Sequence, residues 1–472
     1  MLFNSQEFVF FFILVAIAYY AVCHFTKRLA VRNVLLLVAS YYFYMSWRPK
    51  MGLLLLGSSL MAYAGAIYIE KAKKVSHKKW ILGAVIAADL LALIYYKYLN
   101  FFCDAINSLL RFSDIALTLP NLDILLPIGI SFFLLQQIGY LIDVYRGDTK
   151  AERNVVSLLL FISFFPQLLA GPIERSRNLL AQVNRHIKFD NELAYHGLMT
   201  VIWGYFLKIV LADNAGFYAD LVFTDVHNIK DGISILWAFF LFAFQIYGDF
   251  AGYTFIAIGC AEILGFRLVK NFDAPYFSAS FTEFWHRWHM SLSLWIRDYL
   301  YIPLGGNRKG KLRTYLNLLA SFAISGLWHG ANFTYLTWGV MNGAAVCAEK
   351  AVGLPKMRLS VAAKTVMRVL MFVTMIFVVW PMFRANSIED YFFLMSHAFD
   401  PTYLVMARET MSLKYALVAI AILLCRDYFT FSQKPLPFIQ SQFAKNAAMV
   451  ILLLIISTMG FIDSSHFIYF QF

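Results

Sequence analysis

Apolar stretches close to the ~20 residues that a helix needs to cross a bilayer recur along the whole chain. They fall at about 7–25, 30–46, 51–69, 80–99, 124–143, 154–170, 196–211, 232–266, 314–331, 333–349, 362–382, 413–429 and 447–462. The pattern predicts an all-α, polytopic integral membrane protein. Its expected architecture is about 12 transmembrane helices with re-entrant and interfacial helices around a polar core. The first stretch has no basic region ahead of it and no small-residue cleavage site after it, so it reads as a retained helix and not a signal peptide. The sequence shows no internal repeat, linker or low-complexity tract, and residues 1–472 are expected to form a single transmembrane domain.

Two stretches depart from simple spans. The loops on both sides of 154–170 are basic, and Pro166, Gly171 and Pro172 are suitable helix breakers. This segment is expected to be re-entrant, an arrangement tolerated where protein or water replaces lipid around it. The stretch 232–266 is too long for one straight crossing and is interrupted by YGDFAGY at 247–253, which predicts a broken helix.

Composition agrees with a membrane protein. The chain is 60% hydrophobic and 14% charged, against roughly a quarter charged in soluble domains. A net charge of +12 raises nucleic acid as a partner, but the distribution of the charges argues against it. Basic residues cluster at Lys27/Arg28/Arg32, Lys71–Lys79, Arg146–Arg153, Arg175–Lys188, Arg287–Arg313, Lys350–Arg368 and Arg426–Lys445. The loops between them are acidic or mixed, with Asp213, Asp220, Asp225 and Asp231 in one and Glu389, Asp390 and Asp400 in another. That alternation is the positive-inside pattern. It places the basic loops in the cytoplasm and the N-terminus outside. The five cysteines have no CxxC spacing and are expected to be buried free thiols.

The chemistry concentrates in EFWHRWHMSLSLWIRDYLYIPLGGNRKG, 283–310, and SGLWHGANF, 325–333. Ionisable groups at membrane depth are costly, and they usually line an aqueous cavity or a reaction centre. On a helical wheel over 282–300, Trp285, Trp288, Leu292, Trp295 and Tyr299 form one stripe, while His286, His289, Ser293 and Arg297 form another. Glu283 and Arg287 are four apart and can pair. Such a helix fits an interface or a cavity wall, and a bland amphipathic surface helix has the same pattern. A metal held by His286 and His289 lacks the further ligands that a site needs, so no metal is expected.

His329 ends an apolar run between Gly326 and Gly330. It reads either as a hydrogen-bonded core residue or as a neutral imidazole able to take a proton from an acceptor hydroxyl. Glu174 in LLAGPIERSR (168–177) and Asp249 in YGDFAGY fit local turns as well as sites. GGNRKGK at 305–311 lacks the P-loop spacing, although Arg308, Lys309 and Lys311 are placed to meet phosphate groups.

Taken in order, MLFNSQEFVFFF, RNVLLLVASYYFYMSW (32–47), LPIGISFFLLQQIGYLIDVYRGD (126–148), FFPQLLAGPIER (164–175), YGDFAGYTFIAIG (247–259), GFRLVKNFDAPY (265–276) and the dense stretch 281–333 resemble the membrane-bound O-acyltransferase family. The branch that IPLGGNRKGKLRTYLNLL (302–319) resembles is that of the bacterial alginate and peptidoglycan O-acetyltransferases. The resemblance implies a catalytic role for His329, at the family's invariant histidine, and for His289 as its second marked position. It implies acetyl-coenzyme A as a cytoplasmic donor substrate with no tightly bound cofactor, met by Arg297, Arg308 and Asn307. It further implies a polysaccharide acceptor, a periplasmic acetyltransferase-like relay partner and residence in the bacterial inner membrane. One departure stands out: Thr254 is followed by Phe255 where the alginate enzymes often carry an acid.

Two rivals follow from the same features. D-alanyl or other acyl transfer from a carrier-protein thioester shares the RWHMSLS-like string. A transporter or exporter would also need a polytopic polar core, but the chain lacks the two-fold hydropathy repeat that many transporters carry.

Overall fold

In the computed structural model, described here for all residues except 27, 170, 229–230, 355–356, 358, 400–410, 438 and 462–472, the ordered elements are helical. Of the charges used above to argue orientation, Lys27, Lys356, Arg358 and Asp400 lie outside the described residues. Two compact units are formed, one by 1–197 with 257–268 and the other by 198–256 with 269–472.

The first unit contains α1 (Gln6–Phe25), α2 (Leu29–Met45), α3 (Pro49–Lys71), α4 (Val75–Leu93), α5 (Leu99–Phe112), α6 (Ile130–Arg146), α7 (Val155–Ser163), α8 (Phe165–Leu168) and α9 (Ala181–Val183). Ser5 caps α1 by accepting from Phe8 N, and Asn154 caps α7 by accepting from Val156 N, relieving amides that a helix start leaves without partners. The interruption expected at 154–170 is present. Nine-residue α7, buried from Ser157 onward, and four-residue α8, wholly buried, are separated by Phe164. At ~1.5 Å per residue, neither reaches across a ~30 Å hydrocarbon core. Glu174 is buried and accepts a hydrogen bond from Asn178, four residues on, at 2.7 Å.

After α10 (Asn191–Tyr205) come α11 (Asp213–Phe223), α12 (Gly232–Ile263), α13 (Phe281–Arg287), α14 (Met290–Ile296), α15 (Gly310–His329), α16 (Phe333–Val352), α17 (Val361–Thr374), α18 (Trp380–Arg384), α19 (Ile388–Ala398), α20 (Met411–Phe431) and α21 (Gln442–Met459). The broken helix expected over 232–266 is not formed: α12 runs uninterrupted for 32 residues. Its glycines serve packing instead. A Cβ on Gly252 would lie 2.9 Å from the Gly204 carbonyl oxygen of α10, and one on Gly204 would lie 2.7 Å from that of Gly252. Asp249, the charge inside the string, is paired with Lys208 at 2.7 Å, and the same ammonium meets Asp213 at 2.6 Å. A helix holding a satisfied charge and tightly packed glycines has no reason to break.

Seven helical segments among the described residues are long and apolar enough to cross a membrane. The hydropathy pattern has thirteen apolar stretches, from which about 12 crossings are expected. α2, α15, α16 and α20 account for much of the difference, being 17–21 residues long but shorter or more polar than the seven.

Candidate active site

The segment 281–301 is not the single amphipathic helix that its wheel pattern suggested. Ser280 caps α13 by accepting from Glu283 N at 3.0 Å. Glu349, near the end of α16, accepts from Phe281 N at 2.5 Å, Thr282 N at 3.0 Å and the Thr282 hydroxyl at 2.7 Å. The expected Glu283–Arg287 pair forms at 3.0 Å, and Arg287 also meets Asp273 at 3.2 Å. The helix then stops. Trp288 is extended, and His289 takes a left-handed conformation with φ 44 and ψ 52. That region is uncommon outside glycine, and strain of this kind gathers at functional sites where neighbours hold it in place.

The neighbours are identifiable. Asn271 accepts from Met290 N through its main-chain oxygen at 3.0 Å. Its side-chain oxygen accepts from Ser291 N at 3.2 Å and from the Ser291 hydroxyl at 2.9 Å, and it meets His289 Nδ1 at 3.2 Å. Behind it, the Asn271 amide reaches the Thr254 hydroxyl on α12 at 3.5 Å. Trp288 fills the core on the other side of the break, 4.8 Å from the Trp380 ring and 5.6 Å from Phe284.

His329 is the last residue of α15 and is buried. The turn Gly330–Asn332 leads directly into α16, whose first residues are capped by Asn332. Glycine allows the two helices to touch: a Cβ on Gly326 would lie 2.1 Å from the Tyr335 carbonyl oxygen, and one on Gly339 2.3 Å from that of Phe322. The His329 ring is set edge-on to Trp338 at 5.3 Å and Phe383 at 5.4 Å. Its centroid is 6.4 Å from that of His289, and Trp328 packs against both rings. His289 is also edge-on to Phe250 of α12 at 4.6 Å. Burial pushes the His289 pKa down to about 3, so the ring is neutral around pH 7.

His289 opens onto a cavity of about 600 Å³. Trp285, Met290, Leu318, Phe322 and Val346 give it apolar walls, while His286, Ser293, Arg297, Asn307, Ser321 and Lys350 supply polar groups. Of the residues expected from sequence, His289, Arg297 and Asn307 line this one space, and His329 lies next to His289 beyond the wall. Arg308 is not on the wall. It sits in the loop where Gly305, Gly306 and Gly310 all have positive φ, and Asn317 fixes that loop by donating to the Gly306 carbonyl at 3.0 Å. Arg297 is half exposed and pairs with Asp298 at 2.8 Å.

Two residues of the site escaped the sequence reading. Asn271 stands in GFRLVKNFDAPY, where no periodicity marks it. Lys350 belongs to a basic cluster that was read for topology alone.

The family profile for the membrane-bound O-acyltransferase family matches residues 150–387, which include both histidines and the cavity wall. The chain is 40% identical over 396 residues to a Pseudomonas aeruginosa protein named "Probable alginate O-acetylase AlgI", covering 82% of this chain and 73% of that one. The chain belongs to the membrane-bound O-acyltransferase family. Other members differ in acceptor. The peptidoglycan O-acetyltransferase of Helicobacter pylori is 33% identical over 421 residues, covering 83% of this chain and 78% of that protein. The teichoic acid D-alanyltransferase of Bacillus subtilis is 28% identical over 226 residues, covering 46% and 56%. As a member, the protein is a multi-pass membrane O-acyltransferase.

Proposed function

We propose that this enzyme moves an acetyl group from a cytoplasmic thioester, acetyl-coenzyme A, across the inner membrane for O-acetylation of a cell-surface or periplasmic polysaccharide of the alginate or peptidoglycan type. The observation that carries the reading is the pair of buried imidazoles 6.4 Å apart, one of them on the wall of a largely apolar cavity with Arg297, Asn307 and Lys350 on its lining. The apolar walls suit the slender thioester arm. The cationic groups suit its phosphates, with Arg308 outside the wall as a further electrostatic contributor.

In this mechanism His329 is the general base. It takes the proton of the acceptor hydroxyl, the oxygen attacks the thioester carbonyl carbon, the C–S bond breaks, and the proton passes on to the departing thiolate. A base in this position contributes ~10²–10⁴ in rate. His289, on the cavity side, orients the reacting groups. Transfer from a carrier-protein thioester is the weaker alternative, because likeness to the D-alanyl enzyme is lower and covers less of the chain than likeness to the O-acetylases. The chain has no Gly-x-Ser-x-Gly esterase elbow, which favours a separate periplasmic relay protein as the first acceptor.

The reading is tested with radiolabelled acetyl-coenzyme A supplied to inside-out and right-side-out membrane vesicles. Labelling of acceptor in inside-out vesicles alone supports a cytoplasmic donor site. Equal labelling in both orientations overturns it. Single cysteines at 71–79, 173–188 and 305–313, on a background cleared of the native five, should resist an impermeant thiol reagent added from outside, whereas those at Thr224, Asp225, His227 and Asn228, the exposed residues that follow α11, should react.

A further inference from the structure

The hydrogen bonds around Asn271 determine which nitrogen of His289 carries the proton. The main-chain N–H of Ser291 can only donate, so the Asn271 atom that it meets at 3.2 Å is the carbonyl oxygen. An amide oxygen only accepts. The His289 Nδ1 that meets this same oxygen at 3.2 Å is therefore the donor. We infer that Asn271 is a positioning residue: it holds His289 as the Nδ1–H tautomer and leaves the ring's lone pair on Nε2.

The inference rests on the reading of His289 as a site residue, and it sharpens that role. A neutral ring with its lone pair on Nε2 accepts a hydrogen bond at that atom and cannot donate one to a thioester carbonyl. His289 therefore orients the acceptor by receiving a hydrogen bond from a neighbouring hydroxyl of it, and His329 removes the one proton of the hydroxyl that reacts. Asn271 also supports the strained turn, because its main-chain oxygen takes the Met290 amide. That bond survives any side-chain change at 271, so the two contributions can be separated. Thr254 of α12 holds the far side of the amide at 3.5 Å. Asp249, the neighbour of Phe250 on α12, is bound by Lys208.

The most direct test is the ¹⁵N spectrum of ring-labelled protein, with the His289 signals assigned by their loss in His289→Ala. Nδ1 should be protonated and Nε2 bare in the native protein, and Asn271→Leu should move proton density to Nε2. With radiolabelled acetyl-coenzyme A as probe, Asn271→Leu should lower kcat about a hundredfold, as for a misplaced catalytic group, and leave the donor KM nearly unchanged. Asn271→Asp keeps an oxygen that accepts from both Ser291 donors and from Nδ1. It should restore most of the rate and keep the proton on Nδ1 in the ¹⁵N spectrum, because that oxygen still accepts there. In a His289→Ala background Asn271→Leu should cost nothing further.

A protonated Nε2 in the native protein overturns the inference, as do equal losses in the Leu and Asp variants. If Asn271→Leu does not fold, the native spectrum and the Asp variant decide. His289→Ala with native transfer would refute the role given to His289 while leaving the tautomer to be settled by the spectrum.

Discussion

In α12 the string YGDFAGY carries a charge and two glycines through an apolar sequence and stays helical, whereas at Trp288–His289 the chain leaves the helix within one residue. The difference lies in what neighbouring residues offer. Asp249 finds an ammonium on the adjacent π-helical turn, so its own backbone can keep its helical hydrogen bonds. At His289 it is the backbone that is served, with Asn271 accepting the amides of Met290 and Ser291. A polar residue in an apolar run therefore predicts a partner, and whether the helix breaks depends on whether that partner binds the side chain or the main chain.

If α12 is a stability device and the break a catalytic one, variants should separate the two. Lys208→Met leaves two buried carboxylates facing each other and should cost about 3–5 kcal/mol, seen as a large fall in the thermal unfolding midpoint in detergent. Asn271→Leu should cost much less stability than this while abolishing most activity. The reverse ranking would break the comparison.

Gly252→Val should come next, at about 1–3 kcal/mol for overpacking, because its Cβ meets the Gly204 carbonyl and the Lys208 amide. Gly83, which has open space around it, should accept alanine without loss by the same assay.

Smaller effects belong to the cavity mouth. Arg297→Gln and Lys350→Gln should each raise the KM for acetyl-coenzyme A about three- to tenfold, less than a fully buried charge-assisted contact would because solvent screens exposed groups. Arg308→Gln should have the least effect, since Arg308 is off the cavity wall.

The sequence pattern carried the helical membrane architecture and the interruption at 154–170, because apolar length and proline act locally. It also singled out His289 and His329, since titratable groups in apolar surroundings are conspicuous. It misjudged α12 and the helix over 282–300 for one reason: a wheel or a glycine count registers the residues of one segment and not the partner that completes them. Asn271 is 18 residues from His289 in sequence, in another segment, and Lys350 reaches the cavity from α16. Neither is visible until the helices are packed.

The central claim is that His329 removes the proton from the acceptor hydroxyl. His329→Ala protein, purified and shown to be folded by an unchanged unfolding transition, should be assayed in proteoliposomes for transfer from radiolabelled acetyl-coenzyme A. The account predicts a loss of ~10²–10⁴ in rate, with His289→Ala less severe and His286→Ala milder still. Near-native transfer by a folded His329→Ala enzyme would contradict it.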